Sequence, residues 1–203
     1  MTDRRAPSVR IVHLSPETLA ALAAGDLATA GELSGLPITP YAISDERIGV
    51  WRRRARQVVE IPADLPWVTG MLVDDLTGEV VGGAGFHAAP DAEGMVEVGY
   101  GVDPAYRRRG YARAALMHLL ERARAHPDVR VLRATVSPSN TASLGLVAQL
   151  PFVEVGEQWD DEDGLEIIFE LPVDGESSWR DGRVAEGREL HQYLCVEVGA
   201  EDR

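Results

Sequence analysis

The sequence predicts a mixed α/β fold with a central, mostly antiparallel sheet flanked by helices, and a strand-like segment added at the C-terminal end. Three observations predict it. Residues 94–126 read as a strand, a basic turn and a helix. Two further strand-like runs precede them at 67–74 and 79–87, so three strands follow one another with only turns between, which marks an antiparallel half. Another strand-like run at 129–136 follows the helix, and a strand–helix–strand unit is a parallel crossover.

In chain order, residues 9–14 read as a first strand. Ser15 and Pro16 then open a helix to residue 24, with proline at the first helical position. Gly25 and Asp26 restart a second helix to about residue 33. The stretch 34–43 contains Gly35, Pro37 and Pro40 and reads as loop. Ser44 and Asp45 cap a third helix to about residue 59. It carries Arg52, Arg53, Arg54 and Arg56 at too many angles to form one stripe, which reads as a solvated face, with a wall of an acceptor site as the alternative. Leu76, Thr77 and Gly78 turn one strand into the next. Gly82, Gly83 and Gly85 weaken that second strand, so a bulge or a close backbone approach is expected there. After 129–136 come a helix at 139–150 and a hairpin: 152–159, the acidic turn 160–164, then 165–171.

The chemistry concentrates in 94–126. Met95, Val96, Val98, Tyr100 and Val102 form the strand pattern, and Asp103-Pro104 ends it because proline cannot donate to a ladder. Leu116, Leu119, Leu120 and Ala123 fall on one helix face. Between them stand Arg107, Arg108, Arg109, Gly110, Tyr111, Ala112 and Arg113. The first amides of a helix have no partner inside it, and the helix dipole adds partial positive charge there. Gly110 lets an anion approach the backbone. Four arginines at a helix start are unfavourable unless an anion meets them; the other reading is a solvated, arginine-rich helix end.

Arg107, Gly110 and Ala112 after a Val-Asp-Pro strand end make R-x-x-G-x-A, which resembles the pyrophosphate loop of the GNAT superfamily of acyl-CoA-dependent N-acyltransferases. Downstream, Ser137-Pro138-Ser139-Asn140-Thr141-Ala142-Ser143 followed by Leu150-Pro151-Phe152 resembles that family's N-x-x-S helix start and closing G-F. The resemblance covers roughly residues 9–171. It is closest to the branch containing ribosomal-protein N-terminal acetyltransferases. It implies the GNAT fold over a domain at 1–172, with 173–203 as an appendage. It also implies an enzyme that takes acetyl-CoA as co-substrate and transfers the acetyl group to an amine. The thioester would lie along Tyr100, Gly101 and Val102, and the pyrophosphate on the 107–113 turn with Asn140 nearby.

Composition narrows the partners. The net charge of −13 argues against nucleic acid and is compatible with an amine-bearing substrate. One cysteine, Cys195, excludes a disulfide framework and a cysteine zinc cluster. The apolar runs are too short for a membrane span or a signal peptide, so cytoplasm is the default. His13, His118, His126 and His191 have no ligand spacing, so no metal is expected. Gly99-Tyr100-Gly101 lacks the rest of a dinucleotide fingerprint. The 20 basic residues are all arginine, and Asn140 is the only asparagine. A GC-rich genome accounts for both biases, yet the asparagine that remains sits in the motif, either capping a helix or also binding ligand.

For an amide-forming reaction a base is needed. Glu97 is the candidate, because glutamate is a poor strand former in an otherwise apolar stretch and burial there would raise its pKa. An outward-facing, solvated glutamate is the alternative. Glu93 and His87 are weaker candidates. The tyrosine that many family members use as acid is absent where Leu146, Val147 and Ala148 stand. The resemblance places Ser143 near the sulfur instead, a capping-turn hydroxyl otherwise. Pro151 departs from the family's glycine. Cys195 lies outside the motifs, which disfavours a covalent acyl intermediate on the enzyme. Rival readings are an acyl-CoA-binding module without turnover and an enzyme for another donor such as succinyl-CoA. The appendage alternates at 190–198 and is expected to pack on its own domain or on a second copy, giving a homodimer.

Overall fold

The structure, a computed structural model, describes residues 6–160 and 164–173. The expectations for 1–5, for the acidic turn at 161–163 and for the appendage at 174–203, including any dimer it would make, lie outside the described residues.

Strand β1 (Val9–Val12) leads to α1 (Pro16–Ala23), whose N-cap Ser15 accepts the Thr18 amide at 3.2 Å. Asp26 caps α2 (Leu27–Ser34) in the same way, through Thr29 at 3.0 Å. After a short 3₁₀ turn at Pro40–Ile43 comes α3 (Asp45–Glu60). Then follow β2 (Gly70–Asp74), β3 (Val80–Phe86), β4 (Met95–Val102) and α4 (Tyr111–Ala125). The chain closes with β5 (Val131–Val136), α5 (Thr141–Val147), β6 (Val153–Asp160) and β7 (Gly164–Pro172).

Two boundaries differ from expectation for local reasons. β2 starts at Gly70 because the chain leaves a turn in which Trp67 and Val68 both donate to the Asp64 carbonyl; Val68 makes only an isolated bridge to Phe86. α5 is shorter at both ends. Ser139 is held in a turn by the Ser137 hydroxyl, and residues 148–150 tighten into bonds from Gln149 to Leu146 and from Leu150 to Val147 before Pro151.

The sheet order is β1-β2-β3-β4-β5-β7-β6, and β4–β5 is the one parallel pairing between these strands. Strand alternation feeds two cores on opposite faces. Leu72, Val81, Ala84, Val96 and Val98 pack with Leu116, Leu119, Leu120 and Ala123 of α4, the helix face expected from the sequence. Met71, Val73 and Val80 pack with Leu19 and Leu22 of α1 and Trp51 and Val58 of α3. β6 is an edge strand that exposes Val153, Val155 and Trp159.

One buried polar contact ties the start of α4 to the sheet. The Tyr111 hydroxyl donates to Asp74 Oδ2 at 2.6 Å, while Asp74 Oδ1 accepts the amides of Leu76 and Thr77 in the β2–β3 turn. The Tyr111 bond, first among several donors, holds the Asp74 carboxyl below its ordinary value, and burial with the Asp74 bond pushes Tyr111 up to about 12. A depressed carboxyl stabilises the fold above its unfolded value, ~3.9, and that contribution is lost as pH falls through the native value. A raised phenol stabilises below its unfolded value, ~10, and that contribution is lost as pH rises toward the native one. Tyr111→Phe should therefore cost about 1.5–3 kcal/mol in urea unfolding at neutral pH. Its deficit relative to wild type should shrink both in acid and above pH ~10.

Candidate active site

β4 and β5 pair only from Met95 with Val131 to Glu97 with Arg133. Both strands continue, β4 to Val102 and β5 to Val136, but they are no longer partners. The backbone of β4 from Val98 onward thus presents its β5-side edge to a cleft, while its other edge stays paired with β3. Across the cleft stands α5 with Ser143, whose hydroxyl influences the Tyr100 phenol. Burial raises Tyr100 more than Ser143 lowers it, so the phenol stays protonated and able to donate.

The cleft ends at the turn before α4. Arg108 has φ +62 and Gly110 has φ +90, left-handed values that aim successive amides outward rather than along a helix. Among the described residues the amides of Arg108, Arg109 and Gly110 make no hydrogen bond. The turn is anchored at both flanks: Asp103 accepts from Ala105 N–H and the Thr39 hydroxyl, and Arg107 donates from Nε to the Val102 carbonyl at 3.0 Å. On the turn's side toward the N-terminal segment, a pocket of about 430 Å³ is lined by Pro7, Val9, Arg109, Gly110, Arg113 and Met117, and by no residue of β4 or α5. Free amides, a helix start and exposed guanidinium groups form a cradle for a phosphate or pyrophosphate.

On the sheet face turned toward α3, period-two alternation brings together Glu97, Gly99 and Gly101 of β4, with Gly85 opposite Gly99 and Gly83 opposite Gly101. No side chain rises from the floor these four glycines make: the Thr69 backbone closes over Gly85, and polar side chains lie directly over the other three. At one end stand His87 and Glu97. The His87 Nδ1 lies 3.2 Å from Glu97 Oε1, which also accepts the Thr135 hydroxyl at 2.6 Å. The His87 Nε2 hangs over Gly99, 2.9 Å from where a Cβ would be. The His87 backbone is clamped from α3. Its carbonyl accepts Arg54 Nη1–H at 2.9 Å and Gln57 Nε2–H at 2.8 Å, and Gln57 is held in turn by Asp64. At the other end is Arg47. Its Nη2 lies 2.6 Å from a Cβ placed on Gly83, and its Nη1 lies 2.9 Å from one on Gly101.

Residues 36–152, more than half of the chain, match the Acetyltransferase (GNAT) family. The chain belongs to that family. Over 75 residues it is 33% identical to the uncharacterized N-acetyltransferase YjdG of Bacillus subtilis (strain 168), a stretch covering 37% of this chain and 45% of that protein. Its fold is similar to that of RimL, a ribosomal alpha-N-protein acetyltransferase in complex with coenzyme A. The TM-score is 0.59 at 14% identity, over 83% of this chain and 96% of the other. It is also similar to a chimera of spermidine N-acetyltransferase SpeG from Vibrio cholerae and hSSAT, with a TM-score of 0.57 at 13% identity, over 82% and 96% of the two chains.

In this GNAT chain the residues singled out by sequence lie along β4, the turn before α4 and the start of α5, but not all face the cleft through their side chains. Val102 and Tyr111 turn theirs into the core. Ala112 packs partly against it, and Arg113 reaches Gln149 at 2.9 Å, so these positions face the cradle chiefly with backbone. Arg109 stacks over Tyr106. Asn140 caps α5 by accepting the Ser143 amide at 3.1 Å. Glu93 is exposed in a turn, its amide bonded to Asp91. Among the described residues no cluster of His, Cys, Asp and Glu could hold a metal, and no helix is long and apolar enough to cross a membrane.

Two expectations are corrected. The arginines of α3 do not all face solvent: Arg47 and Arg54 are buried. They share a stripe with Trp51 and Val58 at the i, i+4, i+7, i+11 spacing, a signal that was present in the sequence. Glu97 is not raised in pKa. Burial, the largest single influence, pushes it up, but the His87 and Thr135 hydrogen bonds and the charge of Arg133 outweigh it and hold the carboxyl below its ordinary value. Thr135→Val, which deletes one donor, should therefore move the Glu97 titration upward in a carbon NMR experiment on its carboxyl.

Proposed function

We propose that this chain is an N-acetyltransferase that carries an acetyl group from acetyl-CoA to a primary amine, on a small molecule or a peptide N-terminus, by direct transfer. The observation that carries this reading is the alignment of three features: a phosphate cradle at 107–113, an open strand edge from Val98 to Val102, and a His–Glu pair beside that edge. RimL, an alpha-N-protein acetyltransferase, and the spermidine N-acetyltransferase chimera, whose folds this chain shares, represent the same two acceptor classes.

The turn amides, with Arg107, Arg108, Arg109 and Arg113, hold the pyrophosphate, and Tyr100, Gly101 and Val102 border the thioester. Asn140 sets the start of α5 on the far side of the cleft. The amine nitrogen forms its bond to the carbonyl carbon, the carbon–sulfur bond breaks, the ammonium proton leaves to a base, and the thiolate takes up a proton. A carboxylate held low and already accepting two hydrogen bonds is a weak base. Glu97 instead fixes the His87 ring with Nδ1–H toward itself, so that the Nε2 lone pair over Gly99 receives the amine proton. Ser143, backed by the Tyr100 phenol, stabilises the departing thiolate.

Thiol release tests these roles. His87→Ala should lower kcat by about 10²–10⁴, and Glu97→Gln by about 10², each with the KM for acetyl-CoA unchanged. Equal loss through KM would point to a binding defect instead. Gly110→Ala forces a Cβ into a left-handed position at about 1 kcal/mol and against Pro7, which distorts the turn, and should abolish the thermal shift given by acetyl-CoA.

A further inference from the structure

We infer that the floor next to the reacting carbonyl holds a carboxylate, seated on Arg47 and carried by one of the two substrates. This rests on the reading of the cleft as an acyl-transfer site. Arg47 is 7% exposed, yet its Nη2 has no hydrogen-bond partner among the described residues. The Trp51 ring, 5.4 Å away, supports the guanidinium from one side, and the Tyr41 hydroxyl lies close to its Nη1 over Gly101. Glu46, whose charge acts on Arg47, hydrogen-bonds the Tyr41 hydroxyl and Arg107 and leaves Nη2 without a carboxylate. Arg54, one turn pair further along the same stripe, spends Nη1 on Gln57 and the His87 carbonyl and leaves its buried Nε unpaired.

A buried guanidinium without a partner is costly, and natural folds keep one where a ligand completes it. The forked donor geometry of arginine matches a carboxylate. Position decides which carboxylate. Arg47 lies over the Gly83–Gly101 pair, and His87 Nε2 lies over Gly99, two residues along the same strand, about 7 Å away. A molecule with its amine at His87 and a carboxylate a few bonds away spans that gap. So does an acyl group that ends in a carboxylate. The shared chemistry is an anion close to the bond being made. Aminocarboxylate acceptors and dicarboxylyl-CoA donors are its two sources.

The test uses the full chain and two readouts. In thermal melts with CoA present, succinate and glycine should stabilise the wild type, whereas succinamide and glycinamide should not. Arg47→Met keeps the stacking length on Trp51 and removes the charge; it should lose the carboxylate-dependent shift. Because it deletes an unpaired buried charge, its own Tm without ligand should rise, by roughly 2–4 °C for each kcal/mol gained. Arg47→Gln serves as the second variant should Arg47→Met fail to fold. The second readout is thiol release. With acetyl-CoA, at least tenfold higher kcat/KM for an aminocarboxylate than for its amide assigns the anion to the acceptor. With a fixed amine, the same preference for succinyl-CoA over butyryl-CoA assigns it to the donor. Equal melts with carboxylates and amides, or a preference that survives in Arg47→Met, overturns the inference. Absence of thiol release with every amine counts against the transferase reading alone, since the melts still report on Arg47.

Discussion

The separation of β4 from β5 after Glu97 is the constraint on which the rest of this structure depends. Parallel strands held in register to their ends would fill the centre of the sheet with backbone hydrogen bonds and leave no site. Here the pairing stops after three residues on each strand, and each strand satisfies itself elsewhere, β4 on β3 and β5 on β7. The cost is a row of backbone groups on β4 without a strand partner, which a fold tolerates where a ligand or water completes them. The turn at 107–113 sits at the end of that row because Asp103 and Pro104 terminate the strand there and Tyr111 is pinned to Asp74.

The four glycines at 83, 85, 99 and 101 let Arg47, His87 and the Thr69 backbone lie directly on the sheet beside that opening. Glycine weakens strands, and two adjacent strands with paired glycines would be poor sheet material if stability alone were served. The flanking residues offset this: Val81 and Ala84 on one strand and Val96, Val98 and Val102 on the other are buried on the opposite face. The sheet is thus held from the α4 side and faced by polar groups on the α3 side, and those at the ends of the floor belong to different elements. His87 is fixed from α3 through Arg54 and Gln57, Glu97 from β5 through Thr135, and Arg47 by Trp51 within α3.

Much of this was legible in the sequence where the signal is local. Alternation marked β3 and β4, the spacing of Leu116, Leu119, Leu120 and Ala123 marked the buried face of α4, and Ser15, Asp26 and Asn140 announced helix starts because capping is a three-residue affair. What stayed hidden depends on elements distant in sequence. The carboxyl of Glu97 was expected to rise because its burial is visible from its neighbours, whereas the donors that lower it come from β3 and β5. The register of the 80–86 and 95–102 strands would have put His87 opposite Glu97, but it hinges on a turn whose length the pattern does not define. The buried arginines of α3 were misjudged because Arg52, Arg53, Arg54 and Arg56 were weighed together and Arg47 was left aside, rather than asking which fell on the stripe of Trp51 and Val58.

The contact between Arg107 and Glu46 has a consequence for how the two halves of the cleft communicate. The pair joins the phosphate turn to the first turn of α3 at 3.4 Å, and Glu46 is the chain neighbour of Arg47. An anion that draws Arg107 to itself releases Glu46 and changes the field at Arg47. By linkage, a molecule bound over Arg47 alters the affinity of the turn by the same factor. Both partners of the pair are largely exposed, and an exposed pair is worth at most about 1 kcal/mol. The two ends are therefore coupled by no more than about fivefold in affinity, a loose tether that acts equally whichever end is filled first.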